Sequence, residues 1–118
     1  MSQFIEEIDV AKQTRQLRIS ENNSYIHWLN EGANYFGKGA SNNIIYPGQE
    51  AAMFSGILFL NRDRVLIRVA AGERIMHKKK SIDNILIYER NTSLVLEYGS
   101  FKFQVINEQG RYGLLFFL

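Results

Sequence analysis

The chain has no cysteine, one proline and two histidines in its 118 residues. Without cysteine there can be no disulfide framework and no thiolate metal site, and such a composition suits a reducing compartment. His27 and His77 stand far apart and in no metal-ligand spacing, so neither a metal nor another cofactor is expected. No apolar run approaches the roughly 20 residues that cross a bilayer as a helix, so any membrane contact should be peripheral. The start of the chain, Met1 to Asp9, is acidic where a signal peptide is basic. Export by that route is therefore not expected, and a cytoplasmic location is favoured. Nucleophile elbows, phosphate-cradling glycine loops and dinucleotide fingerprints are missing too: Gly37-Lys38-Gly39 is too short and precedes no helical pattern. With no catalytic residues to name, a binding module is expected in preference to an enzyme.

What is present suffices for one domain. Apolar residues make up 46% of the chain and charged residues 22%, which permits a real core and separates it from disordered sequences. Two parts are expected, an N-terminal amphipathic helix within residues 1–15 and a β-domain over 16–118. Ser2 can cap a helix over about 3 to 14, with Phe4, Ile5, Ile8 and Ala11 on one face and Glu6, Glu7 and Asp9 near its positive end. A helix this short is marginal alone, so its stripe should dock on the domain.

From Gln16 the periodicity changes to two, and β-rich runs alternate with turn residues. The expected fold is all-β: an antiparallel β-sandwich or barrel of about eight to eleven strands behind one short helix. Strands are predicted near 17–20, 25–29, 43–46, 51–54, 57–60, 65–69, 74–77, 82–88, 94–98, 101–106 and 112–118. Gly99-Ser100 is the clearest hairpin signal, a Gly-first two-residue turn between alternating strands. Trp28, Phe59, Leu66, Ile85, Ile87, Leu96, Phe103 and Leu115 are the expected core contributors. The ending Leu114-Leu115-Phe116-Phe117-Leu118 is apolar on both faces, which predicts a strand that is central in its sheet or covered by another subunit.

Charge is distributed unevenly. Arg62, Arg64, Arg68, Arg74, Lys78, Lys79 and Lys80 fall within nineteen positions that hold only Asp63 and Glu73, while the rest of the chain carries seven basic and ten acidic residues. Such a window points to an acidic partner, whether phosphate, lipid headgroup, nucleic acid or protein, unless it is a solvated strand edge. The candidate binding residues are Lys38, Arg68, Arg74, Lys78, Lys79 and Lys80 for charge, with Trp28, Tyr35 and Tyr88 as amphipathic anchors if exposed. A basic loop beside Tyr88, Tyr98, Phe101 and Phe103 also fits single-stranded nucleic acid on a small barrel, although those aromatics alternate with core periodicity. From a different class comes an assembly subunit, a homo-oligomer packing through the N-terminal helix and the apolar C-terminal strand.

One resemblance is carried by short signals in a fixed order. Glu21-Asn22-Asn23-Ser24, Trp28 and Tyr35-Phe36-Gly37-Lys38-Gly39-Ala40-Ser41 are similar to the early strands of the actinoporins, and Gly56-Ile57-Leu58, Val65 to Val69, Asn84 to Tyr88 and Gly113 to Phe117 resemble later ones. The resemblance implies a β-sandwich with an N-terminal amphipathic helix, a headgroup-binding face and membrane permeabilisation by the released helix. Two departures matter. The family's aromatic choline-holding loop corresponds to Ala70 to Lys80, and a serine of the same pocket falls at Lys38. Anionic ligands are therefore expected in place of cholines.

Overall fold

The computed structural model describes residues 17–20, as backbone, and residues 24–118. The helix expected over 3 to 14 lies outside the described residues. Among the described residues the chain forms strands only: β1 (Leu17–Ser20), β2 (Ser24–Trp28), β3 (Gly32–Gly37), β4 (Ile44–Ile45), β5 (Gly56–Asn61), β6 (Arg64–Val69), β7 (Met76–His77), β8 (Lys80–Ser81), β9 (Asn84–Glu89), β10 (Thr92–Ser93), β11 (Leu96–Tyr98), β12 (Phe101–Glu108) and β13 (Arg111–Phe117). They build two sheets, ordered β1-β2-β13-β12-β11-β7-β8 and β10-β9-β6-β5-β3-β4. Every pairing is antiparallel except the two-residue ladder of β3 with β4.

Period-two alternation explains how the sheets meet. On the seven-stranded sheet, register places Leu96, Phe103 and Phe116 in one inward row. Phe36 of β3 reaches across from the six-stranded sheet, its ring 5.5 Å from Phe103 and 6.0 Å from Phe116. Leu58, Val65, Ile67 and Ile87 complete a core shared by both sheets. Gly99 closes the β11–β12 hairpin with φ 63°, the left-handed value that the Gly-first turn requires.

Several expectations need correction. The 51–54 segment is a loop, whereas β3, β8 and β10 were not expected. Of the predicted core, Ile87, Leu96 and Phe103 are buried in it and Ile85 packs against it. Trp28 and Leu115 turn half-buried to the outside of the seven-stranded sheet, and Phe59 and Leu66 to the outside of the other. His27 is 1% exposed and packs edge-on against Phe116. The C-terminal strand runs between β2 and β12, so Leu114 and Phe116 enter the core while Leu115 and Phe117 lie on the outer side of a central strand.

Candidate binding surface

The outer side of the six-stranded sheet is unusually apolar for a face open to solvent. Pairing aligns Ala33, Phe59, Leu66 and Leu86 in one row across β3, β5, β6 and β9, and Tyr35, Ile57, Arg68 and Asn84 in the next. Strands lie about 4.8 Å apart, so each row is roughly 14 Å wide. Tyr35 is 47% exposed, Phe54 45%, Leu66 39% and Leu86 36%. Scattered surface leucines need no explanation, but a contiguous apolar row makes this face the candidate for a binding surface.

Local geometry fixes the rim. Asn34 is fully buried, and its amide donates to the carbonyls of Asn30 and Gly32 at 2.8 and 3.1 Å while accepting from the Asn30 N–H at 2.8 Å. That clasp shapes the β2–β3 connection and turns Tyr35 outward. At the far end of β3 the backbone runs so close to Met53 that a Cβ on Gly37 would strike the Met53 carbonyl oxygen. The Lys38 N–H donates to the Ala52 carbonyl at 2.8 Å, and the buried Asn42 amide donates to the Met53 carbonyl at 2.6 Å. These bonds present Met53 and Phe54 at the end of the sheet, with the Phe54 ring 6.2 Å from Tyr35.

Beneath this end lies a buried polar cluster. The Tyr98 hydroxyl donates to Glu73 at 2.5 Å, lies 2.8 Å from the Ser55 hydroxyl and accepts from the Ala52 N–H at 3.3 Å. Tyr46 donates to the Tyr98 carbonyl at 2.6 Å. Burial, aided by the Glu73 contact, raises the pKa of Tyr98, and burial together with the Glu50 charge raises that of Tyr46. Ser55 is fully buried, so its hydroxyl is not open to a substrate. The cluster joins the loop before β5, the loop after β6 and the end of β11.

The structure divides the basic window among four places. Arg62 and Arg64 sit at the β5–β6 turn, Arg68 on the outer apolar face, and Lys78 and Lys79 at the tip of the β7–β8 hairpin on the edge of the other sheet. Lys80 is in β8, and Arg74 is exposed in the loop that follows β6. Lys38 is half-buried, its ammonium 3.4 Å from the Gln49 carbonyl, at the end of β3 near Phe54. Tyr35 and Arg68 are thus brought to one face, with Lys38 at its end, whereas Arg74 lies in the loop that crosses from β6 to β7 of the other sheet. Lys78 to Lys80 and Trp28 belong to the other sheet, where the Arg111 guanidinium covers the Trp28 ring at 4.1 Å.

Tyr88 cannot serve as an exposed anchor, because it is 4% exposed. A bulge explains this: Val65 pairs with Tyr88 but Leu66 with Leu86, so Ile87 and Tyr88 both turn inward. Tyr98, Phe101 and Phe103 are buried as well, which removes them as a base-stacking platform. Among the described residues no three His, Asp or Glu side chains cluster as metal ligands. Sequence reasoning missed Phe54, Leu66 and Leu86 as surface residues, since an exposed apolar residue in a strand carries the same signal as a core one. Comparison of the chain with protein-family models, curated proteins and solved structures finds no match.

Proposed function

We propose that the protein is a non-catalytic binding module for an anionic lipid surface, and that the outer face of its six-stranded sheet makes the contact. The observation that carries this reading is the exposed group Tyr35, Phe54 and Leu66 with Arg68 standing among them. Aromatic and aliphatic side chains gain by entering the headgroup boundary, and guanidinium and ammonium groups at the rim gain from anionic lipid. Lys38 extends the cationic rim, and Arg74 and the Lys78 to Lys80 hairpin add longer-range attraction.

The finer architecture belongs to the same proposal: a β-sandwich, actinoporin-like in reduced form, whose helix over about 3 to 14 docks on the outer side of the seven-stranded sheet. Ile26 on that side is 4% exposed, beside half-buried Trp28, Leu115 and Phe117. The chain enters the sheet at that edge through β1. Phe4, Ile5, Ile8 and Ala11 therefore have an apolar surface of matching character.

A second reading is an assembly subunit, favoured by the flush row Ala33, Phe59, Leu66 and Leu86. Vesicle sedimentation and light scattering separate the two. On the lipid reading the protein is monomeric and sediments with vesicles containing phosphatidylserine, and Tyr35→Ser/Phe54→Ser weakens binding at low and high salt alike. Arg68→Ser/Arg74→Ser should weaken it chiefly at low salt, because screening already removes the charge contribution at high salt. A stable dimer that ignores vesicles would replace this reading with the second.

A further inference from the structure

At the end of the six-stranded sheet opposite Phe54, two turns face one another. The β5–β6 turn is Arg62-Asp63 and the β9–β10 turn is Arg90-Asn91, and between them lies an open cleft of about 450 Å³ lined by Asn61, Arg62, Asp63, Arg64, Glu89 and Arg90. Its lining is almost entirely polar.

The charges in this cleft are not all matched. Arg64 pairs with Glu89 at 3.0 Å, which leaves Arg62 and Arg90 without an ion pair among the described residues, with Asp63 in the lining and the Glu31 carboxylate taken up by the backbone of the first turn. Both arginines occupy backbone positions that disfavour them. Arg62 has φ 60° and Arg90 φ 50°, the left-handed region that glycine or asparagine fills at little cost in two-residue hairpin turns. Each turn therefore accepts strain at the residue that brings a guanidinium to the cleft. Lys78, Lys79 and Gln109 take up the same left-handed region in other turns of this chain, so the conformation is a feature of its tight hairpin turns and not of the cleft alone. The first turn is also pinned from below, the Arg62 N–H donating to the Glu31 carboxylate at 3.1 Å.

We infer that this cleft binds the phosphate group of a small soluble phosphate monoester, held by the guanidiniums of Arg62 and Arg90. Planar guanidinium groups match tetrahedral oxyanions through paired N–H donors, and two of them on opposing turns neutralise a dianion. A lining this polar does not suit an apolar ligand, and Asn61 and Asp63 offer partners for hydroxyl groups beside the phosphate. The site lies at the other end of the sheet from Phe54 and does not depend on the lipid-binding reading.

The test is calorimetric titration with inorganic phosphate at pH 8, with ionic strength held constant by sodium chloride. Saturable binding is expected for the wild type. Arg62→Ala/Arg90→Ala should weaken it at least tenfold. Arg62→Gly/Arg90→Gly should weaken it equally while raising the thermal midpoint, since glycine relieves both left-handed positions, so loss of binding cannot be ascribed to unfolding. Lys78→Ser/Lys79→Ser/Lys80→Ser should bind phosphate within twofold of wild type, and phosphatidylserine vesicles should not displace phosphate. No saturable binding by the wild type, or binding by the glycine variant within twofold of it, would overturn the inference. So would loss of binding in the lysine variant or displacement by vesicles.

Discussion

Adjacent residues in β6 should respond very differently to substitution, because one faces the core and the other the proposed contact surface. Ile67 is fully buried between the sheets, and Leu66 beside it is 39% exposed. Ile67→Ala removes buried methyl groups and leaves a cavity in a close-packed interior, which costs about 2–5 kcal/mol. Leu66→Thr introduces a β-branched strand former and gives up only partial burial, so about 1 kcal/mol or less is expected. Urea unfolding followed by circular dichroism reads both. With a slope of about 1–3 kcal/mol per molar, Ile67→Ala should move the midpoint down by roughly 1–3 M and Leu66→Thr by a fraction of that. Leu66→Thr should also weaken vesicle binding, whereas a folded Ile67→Val should leave it unchanged. Equal midpoint shifts for Ile67→Ala and Leu66→Thr, or a larger one for Leu66→Thr, would refute the assignment of faces.

Three more predictions follow from the rim and the buried cluster. Gly37→Ala should destabilise by about 1–3 kcal/mol, because the new methyl meets backbone rather than a movable side chain, and thermal unfolding measures it. Tyr46, Tyr98 and Tyr112 have pKa values raised above 10.0, chiefly by burial. Their protonated forms are favoured by folding, so their contribution is complete below the unfolded value and fades as pH rises through the folded ones. Absorbance titration at alkaline pH should show them ionising last, and Tyr98→Phe should remove one late step. The Ser100 hydroxyl bonds Glu50 and lowers its pKa from 4.5, giving stability that is present above that value and lost as pH falls through the folded one. Ser100→Ala should flatten this acid dependence in denaturant midpoints measured between neutral pH and pH 3.

Strand existence was readable where alternation was strict. Phe101, Phe103 and Val105 against Lys102 and Gln104 set both the strand and its inward side, and Gly99-Ser100 set the turn. Alternation could not orient β5, where Ile57, Leu58, Phe59 and Leu60 are apolar on both sides, and that ambiguity hid the exposed apolar face. The three consecutive apolar residues Val65, Leu66 and Ile67 had the same effect in β6. β3 escaped because Gly32, Ala33 and Asn34 are poor strand formers, and a buried amide clasp compensates for them. The bulge that turns Tyr88 inward comes from pairing with β6, a non-local cause with no local signature. Charge was legible as a sum but not as a place: the basic window is contiguous in sequence, yet the fold sends its members to a turn, a sheet face, a crossing loop and a hairpin on the other sheet.

The most direct test of the central claim is to map the contact itself, by measuring which backbone amides lose NMR signal when the protein meets phosphatidylserine nanodiscs that carry a paramagnetic lipid. Losses are expected to centre on Tyr35, Phe54, Ile57, Leu66 and Arg68, and to be reduced but not abolished when the salt concentration is raised. Losses confined to Lys78 to Lys80 or to the Trp28 side of the seven-stranded sheet, or no losses at all, would contradict the claim.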